Sequence, residues 1–279
     1  MGFIITALKI IFLLGFLILI HESGHFLVAK ACKVCVNEFA IGFGKAIWTK
    51  QGKETLYVLR LIPLGGFVRM EGEEEHSDKE GSFSNVSIPK KMAIVASGGL
   101  TNIIFGLVTF FILSTVYYGK VIENSNFVSQ MSYGFSNTLN YLGLTIDSLK
   151  QLFTGNIDLN QLTGPIGISG MVAETSGLFD FINLLAVVSL SLGITNLLPF
   201  PPLDGGKIII YIIEWIRKKP LKENIELNLQ SVGFAMIILL SIYVAYNDVL
   251  RILWNVWIAL NVSLRIYWAG KRLAPITML

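Results

Sequence analysis

The chain has 279 residues, of which 53% are apolar and only 15% charged, with a net charge of +3. Soluble domains carry about 25% charged residues, so this composition excludes an ordinary soluble enzyme or binding module. The near balance of charge also gives no footprint for a nucleic-acid partner. The class it predicts is a mainly α, polytopic protein whose solvent is the lipid bilayer, with bilayer-length apolar runs at residues 5–28, 92–117, 181–200 and 232–250.

In the first run Lys9 precedes an uncharged core, as in a signal peptide, but no small-residue cleavage site follows, so the segment reads as a retained span. Near its end stands His21-Glu22-Ser23-Gly24-His25. Residues four apart share a helix face, so both imidazoles can reach one metal, with Glu22 about 100° around. Ionisable side chains at membrane depth are costly and default to a functional reading. The bland alternative is a pair of histidines capping a transmembrane helix at the headgroups.

Cys32 and Cys35 follow as a lone C-x-x-C and read as reduced cytoplasmic thiols. Thr55–Leu61 and Phe67–Met70 are short β-prone runs on either side of Pro63-Leu64-Gly65-Gly66, which predicts a small hairpin over about 55–70. It is either a plain connection or an edge that accepts an extended peptide by strand addition. His76, in an acidic loop, reads as solvated. Residues 29–91 hold ten Lys/Arg and 207–227 hold five, whereas 119–180 hold only Lys120 and Lys150. The positive-inside rule puts both basic loops in the cytoplasm, the N-terminus and 119–180 outside, and the two histidines toward the cytoplasmic end of their span.

The outside loop shows an apolar periodicity at Leu139, Leu142, Leu149 and Leu152, which predicts a helix lying at the surface, then a break over Gly155–Asn160. The third span ends in Asn196-Leu197-Leu198-Pro199-Phe200-Pro201-Pro202-Leu203-Asp204-Gly205-Gly206, where three prolines open the backbone. Asp204 is the only Asp or Glu between Asp180 and Glu214. It is either a loop cap or the third protein ligand that a catalytic zinc site requires beside two histidines. The stretch Leu253–Trp268, broken by Arg265 and rich in aromatics, predicts a fifth span or an interfacial helix. The chain thus divides into 1–118 with two spans, the His-Glu motif and the hairpin, a short loop at 119–180, two more spans at 181–250, and a C-terminal piece at 251–279.

The pairing of a first-span HExxH with a downstream N-x-x-P-x-P-x-L-D-G-G resembles the site-2 protease family of intramembrane zinc metalloproteases. Ile62-Pro63-Leu64-Gly65-Gly66-Phe67-Val68, Gly98 with Asn102, and Thr163-Gly164-Pro165-Ile166-Gly167 resemble further elements of its bacterial regulator-of-sigma-E-type branch. The resemblance implies a three-span catalytic core with a membrane-associated hairpin, Zn2+ held by His21, His25 and Asp204, and Glu22 as general base. It further implies that Asn102, Asn196, Gly65 and Gly66 form the substrate-binding or oxyanion set. The implied activity is cleavage of transmembrane segments in the bacterial inner membrane. Implied substrates are anti-sigma factors or remnant signal peptides that another protease has cut first. The chain departs from the branch in having no room for a PDZ domain, so a partner would replace that filter. It also has Ser191 where asparagine is common. The alternative is a non-enzymatic zinc transporter or scaffold, for which repeated polar positions across several spans are expected.

Overall fold

The computed structural model describes residues 2–73, 75, 77–154 and 164–272; His76, the Gly155–Asn160 stretch and Thr163 lie outside them. The order is α1 (Gly2–Ala31), β1 (Val36–Gln51), β2 (Leu56–Met70), a 3-10 turn at Phe83–Asn85, α2 (Ile88–Val121), α3 (Phe127–Phe153), α4 (Pro165–Glu174), α5 (Leu178–Asn196), α6 (Asp204–Arg217) and α7 (Glu223–Arg272). Among the described residues four helical segments are long and apolar enough to cross a membrane: Gly2–Ala31, Ile88–Val121, Leu178–Asn196 and Asn224–Arg251. α5 stops at Asn196, four residues short of the predicted span end, where the proline-rich turn takes over. α7 continues without a break to Arg272, so Leu253–Trp268 is backbone-continuous with the fourth span.

α2 is the central helix and touches α1, α3, α5 and α6. Its approach to α5 depends on small residues. A Cβ added at Gly99 would meet the Gly193 carbonyl at 2.8 Å, and one at Gly106 the Ala186 carbonyl at 2.8 Å. Lipid tails are as apolar as leucine, so helices in a bilayer associate through such close backbone contact rather than by burying leucines. The helix expected in the outside loop is α3, which is largely exposed and runs antiparallel along α2, with Tyr133 stacked on Tyr118, Asn137 donating to Ser114 at 2.9 Å, and Tyr141 stacked on Phe110. The small and polar stripe makes the contact, while Leu139 and Leu144 point away from the protein.

The hairpin is larger than predicted and differently paired. Val36–Ile41 of β1 pairs with 66–70 of β2, and Ala46–Gln51 pairs with 56–60. The turn falls at Gly52–Thr55, closed by the Gly52 N–H to the Thr55 carbonyl at 2.8 Å. Both strands fold back on themselves: Ile41 partners both Leu59 and Gly66, so β2 reverses across Pro63–Gly66, where Gly65 takes a φ of +139°, and Gly42 and Gly44 turn β1 to match. The sheet base packs Val36, Val68 and Met70 on Ala29, Ile94 and Phe83. Behind it, Asn37, Ser77 and Lys79 hold the Glu71 carboxyl down to about 2, fixing the following loop. A second core joins Leu13 and Leu17 of α1 to Val172 of α4 and Phe181, Leu184 and Leu185 of α5.

α4 is held at both ends by charge. Asp248 of α7, 2% exposed, accepts the N–H groups of Gly164 and Gly167 at 3.1 and 2.9 Å. Lys9 of α1 donates to the Thr175 carbonyl and hydroxyl at 3.1 and 2.9 Å. A carboxylate at the N-terminus and an ammonium at the C-terminus both complement the helix dipole.

Candidate metal centre

Three side chains from two distant parts of the chain converge on one point. His21 Nε2 and His25 Nε2 lie 3.2 Å apart, and Asp204 Oδ2 lies 3.2 Å from the first and 3.5 Å from the second. A tetrahedral ion with bonds of about 2.0–2.1 Å needs its ligand atoms roughly 3.3 Å apart. The triangle therefore matches one face of a zinc tetrahedron, and its fourth corner is left for water or substrate. Among the described residues this is the one His/Cys/Asp/Glu group so arranged. Asp204 Oδ2 is buried and, by hydrogen-bond geometry, unpaired. A buried carboxylate oxygen between two imidazole nitrogens fits a cation.

The histidines are oriented from behind. His25 Nδ1 lies 2.8 Å from the Ile94 carbonyl, so it carries the proton and leaves Nε2 as a lone-pair ligand. His21 Nδ1 lies 3.5 Å from the Asn196 amide nitrogen. Turning that amide through 180° puts Oδ1 there, the orientation a metal-bound His21 requires. Asn196 thus stands beside the His21 ring.

Local sequence explains the approach. Gly24 lets α1 cross α2, since a Cβ there would overlap the Ser97 carbonyl and Thr101 Oγ1. One turn away, a Cβ on Gly98 would overlap His25 Nε2 and reach 2.8 Å from His21 Cε1. Gly98 is therefore the floor under both rings. Gly98→Ala is expected to displace the imidazoles and weaken zinc binding by about 10–100-fold, as second-layer changes do. Metal content measured against a graded chelator series checks this; unchanged affinity would contradict it. On the other side, Gly205 and Gly206 fit α6 beneath the turn, where a Cβ on Gly206 would meet the Phe200 carbonyl at 2.9 Å. That contact sets the height of Asp204, the first residue of α6.

Glu22 stands beside the triangle against β2: a Cβ on Gly66 would lie 3.0 Å from Glu22 Cγ. Residues 66–70 pair with β1 along one edge. Phe67, Val68 and Arg69 line a cavity of about 510 Å³, closed by Lys207 and Tyr211 of α6 and by Glu226 of α7. Glu22 thus packs against Gly66, and the next three residues of that strand line the cavity. Gly65 lies under the Phe43 ring. Asn102 is fully buried on α2; its carbonyl accepts from Ser189 at 2.9 Å, while both atoms of its side-chain amide lack a protein partner. Ser191 is exposed on α5.

Sequence reasoning missed two groups here. Asp248 is an intramembrane carboxylate of the fourth span whose partner, the start of α4, is invisible in sequence. Gly98 had motif resemblance but no physical role until the imidazoles were in place.

The sequence model described as peptidase family M50 matches residues 9–240. A Clostridium acetobutylicum protein carrying a provisional zinc-metalloprotease name is 29% identical, with 85% of this chain and 95% of the relative covered. The zinc metalloprotease RasP of Bacillus licheniformis is 23% identical over 88% of this chain and 99% of its own length. The regulator of sigma-W protease RasP of Bacillus subtilis is 22% identical over 90% and 99%.

Proposed function

This chain belongs to peptidase family M50, the site-2 proteases, and on that premise we propose that it cuts transmembrane segments at the cleft between the metal triangle and β2. It is a multi-pass intramembrane zinc metalloprotease. The observation that carries the residue assignment is the Nε2, Nε2 and Oδ2 triangle at 3.2–3.5 Å, with Glu22 beside it against Gly66. His21, His25 and Asp204 are the zinc ligands in this reading, and Glu22 is the general base.

Zinc, when bound, lowers the pKa of a water toward about 7 and polarises a carbonyl. Glu22 accepts the proton from that water and returns it to the departing amide nitrogen. A transmembrane helix hides its carbonyls in i→i−4 bonds, so the scissile stretch must be extended first. The free edge of residues 66–70 receives it through main-chain bonds, with the turn at Gly65–Gly66 letting backbone come close to Glu22. Asn102, with an unpaired buried amide, contacts the opened substrate backbone or its oxyanion.

The basic loops at 29–91 and 207–227 support a site toward the cytoplasmic face of a bacterial inner membrane, with the N-terminus outside. The substrates are membrane proteins already shortened by another protease, such as anti-sigma factors or remnant signal peptides. The relative named as a regulator of sigma-W protease supports the first class. The alignment to it runs over 420 positions against 279 residues in this chain. Segments of the relative without counterpart here support the reading that a partner supplies the substrate filter.

Trapping on zinc-loaded Glu22→Gln protein tests this substrate class. Mass spectrometry of the captured material is expected to find single-span membrane peptides lacking their outer domains. Recovery of intact, uncut membrane proteins alone would contradict it.

A further inference from the structure

At the end of α6 opposite Asp204 lies a second cavity, of about 560 Å³. One wall is the start of α2, with Ser87 and Lys91; the other is the end of α6 and the turn after it, with Trp215, Lys218 and Lys219. Three ammonium groups line it against one carboxylate, Glu214, and a Glu214 oxygen is already taken by the Leu221 N–H at 2.7 Å. Lys91 places its ammonium over the Phe83 ring, 5.4 Å from the centroid, which leaves it free to meet an anion. Lys218, in the left-handed conformation that ends α6, and Lys219 are both exposed and form no ion pair among the described residues.

The surroundings of this basic pocket separate it from an ordinary charged surface. It opens where the α2 span begins. The adjoining face of α6 is apolar and exposed: Ile209, Ile213, Trp215 and Ile216 are 41%, 40%, 60% and 73% exposed. Tryptophan favours the headgroup layer, where one end of the ring is wet and the rest apolar. A ligand here meets lysines with one end and an apolar flank with the other. Basic pockets between helices at this depth suit lipid phosphates.

We propose that this cavity binds the phosphate of an anionic phospholipid headgroup, held by Lys91, Lys218 and Lys219 with the acyl chains along the Ile213–Ile216 face. The site rests on the membrane placement of the chain and not on its proteolytic activity. The lipid ties the last turn of α6 to α2, and the first turn of the same 14-residue helix carries Asp204.

The test is native mass spectrometry of full-length protein taken from vesicles of mixed phosphatidylglycerol and phosphatidylcholine. Each lysine near an anionic surface contributes a factor of about fivefold. Wild type is expected to retain phosphatidylglycerol selectively. The triple variant Lys91→Gln, Lys218→Gln, Lys219→Gln is expected to lose that retention by about 100-fold, while keeping its zinc. A control triple, Lys45→Gln, Lys50→Gln, Lys53→Gln, removes the same charge from the hairpin and is expected to retain the lipid. Equal retention by wild type and the first triple, or equal loss in both triples, overturns the proposal. Displacement of the lipid by equimolar inorganic phosphate also overturns it, assigning the site to a soluble phosphate.

Discussion

Glu22→Gln is expected to lower peptide-bond cleavage by about 10³-fold or more while leaving one zinc bound per chain. The substitution is nearly isosteric, so packing of the side-chain stem against Gly66 persists. What disappears is a proton acceptor that stands beside the triangle without belonging to it. His25 cannot substitute, because its Nδ1 proton is committed to the Ile94 carbonyl and its Nε2 faces Asp204. Asp204 cannot either, since its Oδ2 lies between the two imidazoles. Single-turnover cleavage of a model transmembrane substrate, with metal analysis of the same preparation, measures both halves. Retained cleavage would remove Glu22 from the mechanism; lost zinc would make it a ligand instead.

Asp204→Ala is expected to do the opposite, abolishing cleavage by emptying the site. Apparent zinc binding energies of about 10–16 kcal/mol, shared among four ligands, amount to roughly 3–4 kcal/mol each, or about 10²–10³-fold in affinity. The two imidazoles that remain should then lose their metal to a moderate chelator that leaves wild type loaded. Asp204 also stands in the first turn of α6, where a carboxylate favours the helix by about 0.3–1 kcal/mol. Asp204→Asn keeps the shape of the turn but, like Asp204→Ala, removes the charge and is a poor zinc ligand. Both variants are expected to lose zinc together with this small helix contribution. Stoichiometric zinc in the Asn variant would argue that the carboxylate is a cap rather than a ligand.

How far the sequence could be read depended on the range of the interactions. The first span, its His-Glu-x-x-His and the proline turn before Asp204 are local patterns: helical spacing puts His21 and His25 on one face, and Pro199–Pro202 end α5. The sheet was only half legible. Phe67–Met70 has strand character by itself, but its partner Val36–Ile41 carries asparagine, glutamate and glycine nearby and reads as connector. Pro63–Gly66 does carry a reversal, but the two runs that it separates lie on either side of Glu38–Ile41 instead of pairing with each other. α3 was legible as a surface helix, but its partner was not: it meets α2 through Gly134, Asn137 and Tyr141, while Leu139 points outward. Asp248 was out of reach, and Gly98 stood out by resemblance but without a physical role. Each acts on a partner far away in sequence, Gly98 under the histidines and Asp248 at the start of α4.

The central claim is that a zinc ion held by His21, His25 and Asp204 cuts a peptide bond inside a transmembrane segment. It is tested most directly by metal removal and return on purified protein in proteoliposomes, with the cleavage site in a co-reconstituted single-span substrate mapped by mass spectrometry. The account predicts that chelation stops cleavage, that stoichiometric zinc restores it, and that the cut bond lies within the apolar stretch. Cleavage that continues in metal-free protein, or a restored cut that maps only outside that stretch, would contradict it.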